Sequence, residues 1–190
     1  MPATALDPRT ALVVIDLQKG ITAYPLIHPV RDIISNTARL ADAFRQAKLP
    51  VVLVTVAFSA DGADALRTRT EAPPRALGSN PEFFQPVPEL GPQPGDLLIT
   101  KRQWNAFYGT ELDLQLRRRQ VTGIVLTGVS TSVGVDTTAR AAHERGYNLT
   151  FASDAMTDTD PAAHEHATKK MFPRMGELDT TDALLALMRR

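Results

Sequence analysis

Short apolar runs separated by longer amphipathic stretches set the rhythm of this chain. Ala-Leu-Val-Val-Ile at 11–15, then runs at 51–56, 96–100, 123–127 and 148–152, are rich in aliphatic and β-branched residues. They do not alternate with polar positions, which suits strands buried on both faces of a parallel sheet. Between the first two runs, Val30, Ile33, Ile34, Thr37, Leu40, Ala41 and Phe44 recur at helical spacing and stop before Pro50. Residues 132–145 predict another helix stopped by Gly146. Asp160-Pro161 predicts an N-cap followed by proline in the first turn, and residues 181–188 a last helix. Residues 111–118 are ambiguous, because Leu112, Leu114 and Leu116 alternate as in a strand. The arginines at 117–119 tip the reading to a helix, where cations complement the C-terminal dipole. Strand and helix in alternation predict a three-layer α/β/α sandwich with a mostly parallel central sheet and right-handed crossovers. All 190 residues read as a single domain.

Residues 59–95 break that rhythm. They hold seven of the fourteen prolines and no regular period, which predicts a long irregular excursion. Excursions of this length in a compact domain commonly serve as lids or oligomer contacts.

Composition narrows the function classes. With 43% hydrophobic and 22% charged residues the chain has the balance of a packed, soluble domain. The 21 basic side chains equal the 21 acidic ones, which argues against nucleic-acid or anionic-membrane partners. No apolar run approaches the ~20 residues needed to span a bilayer. The first residues lack the charged and apolar regions of a signal peptide, so a cytoplasmic location is expected. The absence of cysteine excludes a disulfide scaffold, a Cys-type zinc site, an iron–sulfur cluster and a thiol nucleophile. Four histidines leave little material for a metal site. No Gly-x-Gly-x-x-Gly and no Gly-x-x-x-x-Gly-Lys occurs, and no cofactor is expected.

Open parallel sheets bind ligands beyond the carboxyl ends of their strands. Asp16 follows the first run, Lys101 the third, and Gly-Val-Ser-Thr-Ser-Val-Gly at 128–134 the fourth. Singly, each has a plain reading: a turn aspartate, a solvated strand-end lysine, and Ser/Thr caps of a helix. Together they place a carboxyl, an ammonium and a row of backbone N–H groups at one crevice, which favours an anion or oxyanion. Ser130-x-Ser132-x-Gly134 approximates a nucleophile elbow, which would need a histidine after a later strand. His143 falls inside a predicted helix, and His164 and His166 are two apart on another, facing different sides. The His164-Glu-His166 triplet reads as a solvated helix face.

Three stretches then carry a family resemblance: Ala-Leu-Val-Val-Ile-Asp-Leu-Gln at 11–18, Lys-Arg-Gln-Trp-Asn-Ala-Phe-Tyr-Gly-Thr-Glu-Leu-Asp at 101–113, and Leu-Thr-Gly-Val-Ser-Thr-Ser-Val-Gly-Val-Asp-Thr-Thr-Ala-Arg at 126–140. With Gly146-Tyr147 and Ser153-Asp154-Ala155, they resemble the isochorismatase-like hydrolase superfamily over residues 8–188. Most of that family, including nicotinamidases and carbamoylsarcosine-type amidohydrolases, uses an Asp–Lys–Cys triad. Asp16 and Lys101 match its first two members, and Gly134 stands at the third. The Asp-x-His metal site of nicotinamidases has no counterpart, since no histidine occurs between residues 29 and 142. Isochorismatases proper resemble the chain more, because they cleave a vinyl ether and can carry glycine at the cysteine position.

That resemblance implies roles for particular residues. Asp16 would protonate the enol carbon as a general acid, which requires a pKa raised by burial. Lys101 would hold a substrate carboxylate or share the proton, and Gly134 would leave room for water or substrate. The family's oxyanion site and its cis peptide would map to Val129 and Ser130 with the Gly134 N–H. Trp104 and Phe107, beside Lys101, would line an apolar pocket. Relatives that cleave isochorismate carry tyrosine where Ser130 stands, and glutamine where Ala57-Phe58 follows the second strand. The resemblance thus implies a reaction class and leaves the substrate open. The expectation is a metal-independent hydrolase of a small anionic, vinyl-ether-like substrate, assembled as a homo-oligomer (dimer or tetramer). Its alternatives are a lapsed member that binds a small molecule, and a serine hydrolase using Ser130 or Ser132.

Overall fold

The computed structural model describes residues 2–71 and 80–189. Six strands, Thr10–Ile15 (β1), Val51–Val56 (β2), Leu97–Lys101 (β3), Gly123–Val129 (β4), Asn148–Thr157 (β5) and Gly176–Asp179 (β6), make one sheet. Every neighbouring pair is parallel, in the order β3-β2-β1-β4-β5-β6. The chain therefore builds outward from β1 in one direction through β2 and β3, and in the other through β4, β5 and β6. A crevice forms where such an order reverses, beyond the carboxyl ends of β1 and β4.

The helices are Lys19–Thr22 (α1), Val30–Gln46 (α2), Leu112–Arg118 (α3), Asp136–Glu144 (α4), Pro161–His166 (α5) and Thr181–Met188 (α6). Successive strand residues point to opposite faces, so each apolar run feeds two cores. Leu12 and Val14 of β1 pack with Ile33, Leu40 and Phe44 of α2 and Leu184 of α6. Ala11, Val13 and Ile15 pack on the other face with Leu112 and Leu116 of α3, Ala139 of α4, and Phe172. That pairing of faces is why the runs carry no polar alternation.

Helical spacing resolves the ambiguous leucines. Leu112 and Leu116, four apart, are fully buried on one face of α3, whereas Leu114 is 49% exposed. The helix expected over 132–145 is two pieces, a wide π turn at Thr131–Val135 leading into α4. β3 reaches one residue further than the apolar run, so Lys101 is its last residue rather than the one after it. β5 continues five residues past the expected end at 152, crossing a register irregularity opposite Leu126 and Gly128. β6 has no apolar run to announce it: Gly-Glu-Leu-Asp is half-buried at all four positions.

The proline-rich excursion is partly anchored. Two short 3₁₀ turns, Pro81–Phe84 and Pro88–Leu90, bring Val87 and Leu90 into the α2-side core. Residues 72–79 of the excursion lie outside the described residues. Among the described residues, no helix is long and apolar enough to cross a membrane.

Candidate active site

β1 ends where the chain must turn, and Asp16 makes the turn with a left-handed φ of 51°. Aspartate is among the few non-glycine residues that tolerate this region. The Asp16 N–H donates to the Val54 carbonyl (3.0 Å), and the Gln18 N–H returns to the Asp16 carbonyl (2.8 Å). The carboxyl is thereby delivered towards β3 rather than into solvent. Lys101 Nζ donates to Asp16 Oδ2 at 2.7 Å and to the Gln103 carbonyl at 3.1 Å. Asp16 is 6% exposed and Lys101 2%. Asp16 Oδ1, also buried, makes no hydrogen bond among the described residues.

Burial and charge compete over the proton on Asp16. Removing a carboxylate from water disfavours its ionised form, while a neighbouring ammonium favours it. Burial is the larger influence: the Asp16 pKa is pushed up to about 6, against the opposing charge and hydrogen bond of Lys101.

Gly134 closes the group. A Cβ built on it would stand 3.3 Å from Asp16 Oδ2 and 2.9 Å from the Ile15 Cγ2 methyl. The turn after β4 thus faces the Asp16–Lys101 pair, but the missing side chain does not leave the water-sized space expected beside Asp16. At the Cβ position, the glycine backbone packs directly against Ile15 and Asp16. Its φ lies outside the left-handed range, so a side chain would meet a packing conflict and no backbone strain. Gly134→Cys should fold at a cost of about 1–3 kcal/mol as Ile15 shifts. Its thiol, beside the Lys101 ammonium, should have a lowered pKa and react with iodoacetamide faster than free cysteine. Alkylation rates followed against pH check this; a rate and pH profile matching free cysteine would place the side chain away from Lys101.

The turn itself uses many of its own polar groups. The Val129–Ser130 peptide is cis, at the position the resemblance implied. Val129 is buried, and the Ser130 carbonyl accepts from the N–H groups of Val133 and Val135, both at 3.1 Å. The Ser132 N–H donates to the Asp158 carboxylate at 2.7 Å. Of the row of N–H groups expected to face the crevice, those of Ser132 and Val133 are therefore engaged within the protein. His164 Nδ1 pairs with the Thr131 hydroxyl (2.9 Å) and His28 Nδ1 with the Thr157 hydroxyl (3.0 Å), and the two rings meet edge-on with centroids 4.9 Å apart. Burial and the neighbouring His28 lower the His164 pKa. Among the described residues, neither Ser130 nor Ser132 has a histidine hydrogen-bonded to its hydroxyl, which leaves the serine alternative without a base.

Two expected lining residues separate. Trp104 is 64% exposed beside the site. Phe107 is a core residue: its ring lies 5.9 Å from that of Tyr147 and 4.9 Å from the Arg145 guanidinium. Both neighbours immediately precede β5, at the amino end of that strand and away from the carboxyl ends, so the Phe107 ring packs in the core rather than in the crevice. Residues passed over in the sequence sit closer. Gln18 is fully buried, with its side-chain amide on the main chain of Val56. Spacing alone does not distinguish a buried glutamine from a wet turn residue; its place two residues after Asp16 was the available signal.

Comparison with known proteins bears on the family and the fold. The sequence matches the isochorismatase domain over residues 10–183. It is 45% identical to the uncharacterised isochorismatase family protein YwoC of Bacillus subtilis (strain 168), over 93% of each chain. It is 27% identical to the ureidoacrylate amidohydrolase RutB of Agrobacterium fabrum (strain C58 / ATCC 33970), over 88% of this chain and 84% of that one. An isochorismatase family protein from Burkholderia thailandensis superposes with a TM-score of 0.95 at 43% identity, covering 99% of this chain and 100% of its own.

Proposed function

The chain belongs to the isochorismatase family of hydrolases, and from that premise we propose a metal-independent hydrolase in which Asp16 is the general acid and no protein nucleophile takes part. One observation carries the reading: Asp16 is buried against Lys101 with its pKa pushed up to about 6, which keeps a proton available near neutral pH. The sequence has no cysteine, so the thioester route is closed to it. The substrate class that fits is a small anionic molecule with a vinyl-ether-like bond.

The chemistry balances with these groups. Asp16 transfers its proton to the enol carbon, and the ether oxygen's electrons complete an oxocarbenium ion. Water adds to that ion and yields its proton to the Asp16 carboxylate. The resulting hemiketal collapses to a ketone and an alcohol. Lys101 faces the carboxylate that proton donation leaves, and so stabilises the state in which the charge has developed.

A screen of vinyl ethers, isochorismate among them, and small amides, with product identification, tests the proposal. Because the acid form is the active one, kcat/KM should be flat below pH ~6 and fall about tenfold per pH unit above it. A profile that rises through that range would assign Asp16 the role of base and refute the general-acid reading.

A further inference from the structure

Gln18 occupies an unusual place for a polar side chain. It is fully buried, and its amide reads the main chain of Val56 in both directions. Gln18 Oε1 accepts from the Val56 N–H at 2.7 Å, and Nε2 donates to the Val56 carbonyl at 3.1 Å, with a longer contact to the Phe83 carbonyl at 3.4 Å. The main-chain register of β1 with β2 ends at Ile15 opposite Val54, so this side chain supplies one further rung. Val56 in turn lies opposite Lys101 in the β2–β3 register. A single amide therefore ties the Asp16 turn to the residue that neighbours Lys101.

The Val56 N–H is within reach of two acceptors. It favours ionisation of Asp16 as the weakest of the influences on that carboxyl. Yet its short hydrogen bond goes to Gln18, and Asp16 Oδ1 is left without a partner. A carboxylate that gains a backbone N–H ionises more easily, by the ordinary preference of the donor for the charged acceptor. From this competition we propose that Gln18 is a positioning residue that holds Asp16 in its acid form, by taking for itself the Val56 N–H that would otherwise stabilise the carboxylate. The proposal rests on the reading of Asp16 as the general acid. Among the described residues, the groups facing Asp16 are Lys101 from β3, the Val56 amide from β2 and Gly134 from the turn after β4. Lys101 is the charged one.

Two variants separate this role from simple packing. Gln18→Met keeps the volume and removes the acceptor, whereas Gln18→Glu keeps an acceptor for the Val56 N–H. The Asp16 carboxyl can be followed directly by carbon NMR of aspartate-labelled protein, with its resonance assigned by its loss in Asp16→Asn. In Gln18→Met the Asp16 midpoint should drop from about 6 to about 5 or lower. In Gln18→Glu it should not drop. With a turned-over substrate, Gln18→Met should lose about tenfold in kcat at pH 7, the fraction of acid form lost, with KM unchanged. An unchanged midpoint in Gln18→Met, or an equal fall in both variants, would overturn the proposal and leave the reading of Asp16 standing. If Gln18→Met does not fold, Gln18→Leu, which also lacks the acceptor, takes its place: a fall of the Asp16 midpoint supports the proposal and a midpoint held near 6 overturns it. A wild-type midpoint near the ordinary carboxylate value would remove both the proposal and the reading beneath it.

Discussion

Asp16→Asn should lower turnover at least ~100-fold while the sheet remains folded. The amide is nearly isosteric with the acid, and its oxygen can still accept from Lys101 Nζ, now at 2.7 Å from Asp16 Oδ2. What it lacks is a proton that can leave. The effect on stability separates the electrostatic role from the chemical one. Below pH ~4 the carboxyl is neutral in both the folded and the unfolded wild type, so wild type and variant should unfold alike. As pH rises from about 4 to about 6 the unfolded wild type ionises before the folded one, so wild type loses stability that the non-titrating amide keeps. Turnover should be lost at every pH. Turnover followed across the pH range, with denaturant unfolding compared at pH 4 and pH 7, checks both halves. A variant that turns over substrate like wild type would dismiss Asp16 as the acid.

The sheet and the three-part site were legible in the sequence for the same reason. Burial on both faces demands uninterrupted apolar runs, and a charged residue at the end of such a run stands out against them. Asp16 and Lys101 are visible on those terms, and the structure brings them into contact. β6 was invisible because it is an edge strand of four half-buried residues, Gly-Glu-Leu-Asp, with neither an apolar run nor an alternation. The end of β5 hid for a related reason: Ser153-Asp154 interrupts the apolar pattern where the register with β4 shifts. Asp154 is used instead to bind the N–H and hydroxyl of Thr181 at the start of α6. Phe107 shows the limit of proximity in sequence. Six residues past Lys101, it lies in the loop before α3, and its ring packs into the core against Tyr147. Gln18 and His28 were missed because their partners, Val56 and Thr157, are distant in sequence, and no local pattern encodes a tertiary hydrogen bond.

Lys101→Met should destabilise the fold by about 3–5 kcal/mol at pH 8, the usual consequence of leaving one partner of a buried pair uncompensated. The penalty should shrink in acid, and the sign follows from linkage. Asp16 has a folded-state pKa of about 6, above its ordinary 3.8, so it binds its proton more tightly folded than unfolded. Its contribution to stability is therefore greatest in acid and declines as pH rises from about 4 to about 6. Lys101 is what limits that decline, since its charge and hydrogen bond both pull the Asp16 pKa down. Without it the pKa rises further, and the decline continues to higher pH. At pH 5 both proteins carry a largely neutral Asp16, and methionine replaces the lysine stem with apolar volume of similar length, so the two should differ little. The gap should then open between pH 6 and pH 8. Denaturant midpoints at pH 5 and pH 8 measure it, with the other titrating groups common to both proteins cancelling in the difference. A gap of equal size at both pH values would mean that the lysine stabilises by packing alone. The ion pair would then have no part in setting the proton on Asp16.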